Sequence, residues 1–136
     1  MTHLLDTSAL LAHFLAEPGA TRLQALFVDP TVEAGTSIVA FFEFELRLHY
    51  LGIDAATRDD IINRYRALLV EVVDVDEVIR KEGVLLKISA TARASAMDTL
   101  IAATASVRGA TLVHRDPHFT AIPASLLKQE MLPAKS

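Results

Sequence analysis

Asp6, Asp98 and Asp116 are the residues of this 136-residue chain whose types and settings could do chemistry. Leu4-Leu5 run into Asp6, Ala96-Met97 into Asp98, and Leu112-Val113 lie shortly before Asp116. Carboxylates in such apolar settings are costly unless cations or hydrogen-bond donors meet them. Gathered at one edge of a sheet, they repel and raise one another's pKa unless a divalent cation neutralises them. The chain has no cysteine, so thiolate sites and disulfides are excluded, and oxygen-only ligation favours Mg²⁺ or Mn²⁺. Each acid also has a plainer role open to it. Asp6 can cap the next helix, Asp98 can sit in a first turn stabilised by the helix dipole, and Asp116 before Pro117 can be a turn residue.

The elements that must position these acids alternate between strand and helix. Residues 3–6 form a short apolar run, read as a buried strand, and Thr7 and Ser8 offer capping hydroxyls to a helix over Ala9–Ala16. Pro18-Gly19 ends it, and a second helix covers Ala20–Val28. Thr36–Val39 reads as a strand. Phe42–Tyr50 alternates apolar and polar residues, a strand signature, whereas a helix would align Phe41, Phe44, Leu48 and Leu51. The residues alone leave both readings open. Asp54 caps a helix from Ala55 to about Leu69, Glu71–Val75 is a β-branched strand, and Asp76 opens a helix running past Gly83 to about Ile88. Ser89–Ser95 reads as a loop, Ala96–Val107 as an alanine-rich helix closed by Gly109, and Thr111–Val113 as the last strand. Strands separated by helices predict an α/β domain with a parallel sheet of four to five short strands, whose ligands bind at the carboxyl ends of the strands.

Composition sets bounds. The length suits one domain over residues 1–136, with a short tail from about 131. A hydrophobic fraction of 51% supplies a core and leaves apolar surface for a protein partner. No apolar run reaches the roughly 18–20 residues of a membrane span. The opening residues lack the basic flank and apolar length of a signal peptide, so a cytoplasmic location is expected. The net charge is −4, the wrong sign for holding nucleic acid by bulk electrostatics. Any positive charge facing phosphate must be local or come from bound cations.

Three segments together resemble the PIN-domain family, in particular the VapC-like toxin ribonucleases of type II toxin–antitoxin systems. Leu5-Asp6-Thr7-Ser8-Ala9-Leu10 is similar to the family's opening motif. Met97–Ala105 resembles the helix that carries its third acid, and Thr111–Phe119 the closing strand and loop that carry its fourth. The tail, with Ile122-Pro123 and Glu130–Pro133, is also similar, so the likeness extends from Leu4 to about Pro133. The resemblance implies a second acid on the helix after the second strand: Glu43, with Glu45 as the alternative. On a helix these two point about 200° apart, and the resemblance favours the helical reading of that segment.

What the resemblance implies is a metal-dependent endoribonuclease. Asp6, Glu43, Asp98 and Asp116 are its catalytic acids, with Asp6, Asp98 and Asp116 as ligands of Mg²⁺ or Mn²⁺. Ser8 supports a ligand, while Arg93, Arg115 and His114 are candidates to contact the phosphate backbone. RNA is the implied substrate, a cognate antitoxin the inhibitor, and a homodimer the implied assembly. Two positions depart from the pattern. His114 stands where Thr or Ser is usual, and His118 where a further acid is common. Rival readings are a PIN-domain nuclease of RNA processing that is no toxin, and a non-catalytic α/β binding module whose acids only cap helices. A receiver-like phospho-acceptor domain lacks its expected lysine around Thr111–His114.

Overall fold

The computed structural model describes residues 1–89 and 93–135. Five parallel strands form one sheet: β1 (His3–Leu5), β2 (Ala34–Ser37), β3 (Val72–Val73), β4 (Thr111–His114) and β5 (Gln129–Met131). Their order is β3-β2-β1-β4-β5. β1 is central, with Leu5 paired to Thr36 of β2 and to Val113 of β4. A parallel strand covered on both faces must be apolar throughout, and Leu4 and Leu5 are both buried. Strand alternation sends Leu5 and Val113 to one face and Leu4 and Leu112 to the other. On the first face lie α1 (Thr7–Phe14), α2 (Ala20–Val28), α3 (Ile38–Tyr50) and α4 (Ala55–Leu68). On the second lie α5 (Glu77–Ser89) and α6 (Ala96–Arg108). The α/β architecture with a flanked parallel sheet is as expected from the sequence.

The segment left open between strand and helix is helical, and its pattern has a physical explanation. α3 carries two apolar stripes. Phe41, Phe44 and Leu48 are buried, with Phe44 edge-on to Phe14 and Tyr65 at 6.1 and 5.1 Å. Ile38, Phe42, Leu46 and Tyr50, at helical spacing, are exposed. The two stripes superposed along the chain imitate period-two alternation. Leu51 does not join the buried stripe as expected, because it is the C-cap and stays 54% exposed.

Several boundaries shift. β2 begins at Ala34 rather than Thr36 and ends at Ser37, which also caps α3, so Ile38 and Val39, expected in the strand, open the helix instead. β3 shrinks to Val72–Val73. The first helix begins at Thr7, capped by Asp6 itself rather than by the hydroxyls of Thr7 or Ser8. The loop expected over Ser89–Ser95 is described only in part, since Ser89 closes α5 and residues 90–92 lie outside the described residues. β5 and the 3₁₀ turn Pro117–Ala121 were not legible as elements. A three-residue edge strand of Gln, Glu and Met offers little apolar periodicity to read.

Candidate functional site

The carboxyl ends of β1, β2 and β4 meet at one edge of the sheet, and a different element delivers each of the four acids there. Asp6 follows β1. Its Oδ1 accepts the Ala9 backbone N–H at 2.9 Å and the Ser8 hydroxyl at 2.7 Å, which leaves Oδ2 for another partner. The residue is 4% exposed. Burial pushes its pKa up to about 7 against the pull of the two hydrogen bonds, and the charges of Asp98 and Asp116 push the same way.

Glu43 is brought in by β2 and α3. Ser37 caps that helix by accepting the Val39 N–H at 3.1 Å. One and a half turns later, Glu43 Oε1 accepts the Thr7 hydroxyl at 3.2 Å. Burial raises the Glu43 pKa; the Thr7 bond and Arg47 oppose this, and the charge of Asp98 adds to it. Glu45, on the opposite side of the helix, faces Arg58 at 3.6 Å. Of the two acids, Glu43 is the one coupled to the others.

Asp98 sits in the first turn of α6, where its N–H donates to the capping Ser95 hydroxyl at 3.0 Å. Burial raises its pKa, opposed by Ser95, and the charge of Asp116 adds to the rise. Asp116 leaves β4 and caps the 3₁₀ turn. Its Oδ1 accepts the His118 N–H at 2.9 Å and lies 3.3 Å from His118 Nδ1. The turn role open to Asp116 in the sequence is therefore real, and it leaves the second oxygen uncommitted.

The supporting residues fall differently from expectation. Ser8 bridges two strands' ends: its hydroxyl donates to Asp6 and accepts the Arg115 N–H at 2.9 Å. The Arg115 side chain does not reach outward for phosphate. Its guanidinium is held by Glu17 at 3.2 Å and by the Pro18 carbonyl at 2.7 Å, with the side chain 13% exposed. His114 is wholly enclosed, so phosphate contact is excluded for it as well. Arg93 is exposed just before α6. Thr7, Glu17 and Gln129 were missed as supporting residues. Thr7 was legible only as a helix cap, and the partners of Glu17 and Gln129 lie on distant or unrecognised elements.

Four carboxyls whose charges act on one another, three of them with raised pKa, amount to an excess of negative charge gathered at one edge. The donor set, oxygen throughout and with no thiol, fits a hard divalent cation. Among the described residues, no three His, Asp or Glu side chains stand arranged to hold a metal ion. The fit is therefore one of charge and donor type, and drawing the uncommitted oxygens together requires side-chain rotation. Chemically, such an edge can hold a cation and orient water against a phosphodiester.

The PIN domain model matches residues 3–124. Among solved structures, the chain is similar to VapBC2 from Rickettsia felis, bound to a promoter DNA fragment. The TM-score is 0.79 at 19% identity, covering 98% of this chain and 100% of that one. DNA-bound VapBC from Salmonella typhimurium gives 0.75 at 19% identity, with 96% and 98% covered. VapBC-5 from Mycobacterium tuberculosis, of the VapBC family of toxin-antitoxin systems, gives 0.59 at 24% identity, with 99% and 98% covered. No curated protein matches the chain.

Proposed function

This chain belongs to the PIN domain family, and from that premise we propose that it is a metal-dependent endoribonuclease, the toxin of a toxin–antitoxin pair. The observation that carries the reading is the coupled set of acids: Asp6, buried and shifted to about 7, feels the charges of both Asp98 and Asp116. A nuclease needs such an edge, because phosphodiester hydrolysis builds negative charge that protein donors alone meet poorly. Asp6, Asp98 and Asp116 are the residues that would hold Mg²⁺ or Mn²⁺, with Glu43 beside them. The ion, when bound, supplies a water of lowered pKa and neutralises charge on the phosphate. Ser8 and the Ala9 N–H hold one oxygen of Asp6, and Thr7 holds one oxygen of Glu43, which leaves the second oxygen of each for a cation once the side chains rotate towards it. Acid-base work on the water falls to Glu43, half-buried and raised in pKa.

The toxin role is supported by the three structural neighbours, whose names are those of VapBC systems. It is also supported by the exposed stripe of Ile38, Phe42, Leu46 and Tyr50 on α3, an apolar surface that suits a protein partner, either an antitoxin or a second copy. No helix among the described residues is long and apolar enough to cross a membrane.

The test is cleavage of a mixed RNA pool by purified protein with Mg²⁺, Mn²⁺ or EDTA, alongside Asp98→Asn. The expected result is cleavage that needs metal and falls at least ~100-fold in the variant, with the fold retained. Equal cutting by both proteins, which points to a contaminating nuclease or a dispensable Asp98, sinks the proposal, and no cutting by either with any RNA and metal favours a binding module.

A further inference from the structure

The histidine that stands in place of a hydroxyl is tied into a network that determines its tautomer. Gln129 Nε2 donates to two backbone carbonyls, Phe119 at 2.8 Å and Ile122 at 3.2 Å. Both of its hydrogens are spent, which fixes the orientation of the amide. Gln129 Oε1, an acceptor only, then lies 2.8 Å from His114 Nε2, so that nitrogen carries the proton. In the neutral ring Nδ1 is left with a bare lone pair. The Asp116 backbone N–H points at it from 3.0 Å. The ring is fully enclosed and stands edge-on to Phe119 at 4.9 Å, so it cannot turn to exchange its nitrogens.

We propose that His114 is a positioning residue: locked by Gln129, it grips the Asp116 backbone and so aims the fourth carboxylate at the position of the cation. It acts neither on phosphate nor as a ligand, since both ring nitrogens are engaged and no part of the ring meets solvent. The hydroxyl expected at this position could not span from Gln129 to the Asp116 amide; the imidazole does both at once. The loop after β4 is then pinned at successive amides, Arg115 by Ser8 and Asp116 by His114. Partners that orient a ligand from behind it influence metal affinity about tenfold or more. The inference rests on the proposed metal-dependent function, because it is the aim of Asp116 at a cation that gives the grip its consequence.

Two near-isosteric substitutions separate the halves of the device. His114→Asn keeps an acceptor where Nδ1 stands and loses the bond to Gln129. His114→Gln keeps a donor where Nε2 stands and loses the acceptor facing Asp116. Both replace the ring by a smaller amide, and Asn, two side-chain heavy atoms short of His against one for Gln, carries the larger packing loss. The measurements are backbone amide exchange at Asp116 in metal-free protein and Mn²⁺ affinity by titration. His114→Asn should keep the amide slow and Mn²⁺ affinity within about threefold of the parent. His114→Gln should open the amide and weaken Mn²⁺ about tenfold, and adding Asp116→Asn to it should cost little more. Equal Mn²⁺ affinities in the two variants, or losses that simply follow their melting temperatures, overturn the inference while leaving the proposed function standing. A parent protein that takes up no Mn²⁺ overturns both.

Discussion

Asp6 carries the clearest consequence at the scale of single residues. Its pKa in the fold is about 7, whereas in the unfolded chain it has the ordinary value of an aspartate, about 3.9. Between those values the folded chain holds a proton that the unfolded chain has shed. The group's contribution to stability is therefore lost as pH rises from about 4 to about 7, and it stays lost above that. Asp6→Asn, which keeps a cap oxygen but no charge, should raise the melting temperature of metal-free protein at pH 8, by the equivalent of ~1–3 kcal/mol. At pH 4 the two proteins should melt together. A thermal melt series against pH checks this, and an offset that does not depend on pH argues against a buried charge. Asp6, Asp98 and Asp116 were legible in the sequence because each stands where an apolar run changes element. Glu43 was legible only by resemblance, since its neighbours fit a strand as well as a helix. Arg115 was misread because Glu17, which claims it, lies far away in sequence and nothing local announces the pair.

At the scale of elements, the site depends on where helices begin. Ser37 and Ser95 start α3 and α6 and so set the rotation at which Glu43 and Asp98 emerge. Ser95→Ala removes the cap, and with it the hydroxyl that opposes the rise in the Asp98 pKa; it should cost about 1 kcal/mol in chemical denaturation, together with a loss of Mn²⁺ affinity. A normal affinity at reduced stability would show that the first turn of α6 holds its shape without the cap. In the core behind them, Phe44→Ala empties the junction of α1, α3 and α4 and should cost ~3–5 kcal/mol, read by the same denaturation. Most elements were readable from composition and caps, and α2 and α6 fell close to their expected limits. The strand ends were less readable. A parallel strand buried on both faces shows no alternation to mark where it stops, so β2 and β3 were misplaced by one or two residues at their ends.

For the molecule as a whole, net charge and apolar surface point the same way. A chain of charge −4 has little bulk attraction for RNA, so affinity must come through the cation and local groups such as the exposed Arg93. RNA binding without divalent metal should accordingly be weak in a filter-binding assay and should strengthen when Mn²⁺ is added to Asp116-intact, cleavage-impaired protein. The exposed stripe on α3 should be covered in the working assembly. On the reading that a second copy covers the stripe, the parent protein should scatter light as a dimer, and replacing Phe42 and Tyr50 with Glu should leave a folded monomer; a parent that scatters as a monomer, or a variant of unchanged mass, argues against α3 as a self-association surface. Neither property was legible as a location. The sequence showed an apolar surplus, but which face carries it emerged only once Phe41, Phe44 and Leu48 were seen to take the inward side of α3.

Four carboxylates that form one site for a divalent cation must give up protons when the cation enters, and calorimetric titration of Mn²⁺ reads this. Run at several pH values in buffers of different ionisation enthalpy, the titration counts the protons released. A cation must displace the proton that Asp6 holds below about 7, and those favoured by the raised pKa of Glu43 and Asp98. Binding should tighten as pH rises from 6 to 8, proton release should diminish over the same range, and both should be lost in Asp98→Asn. Binding with no proton release and no sensitivity to Asp98→Asn, or no binding at any pH, contradicts the shared site.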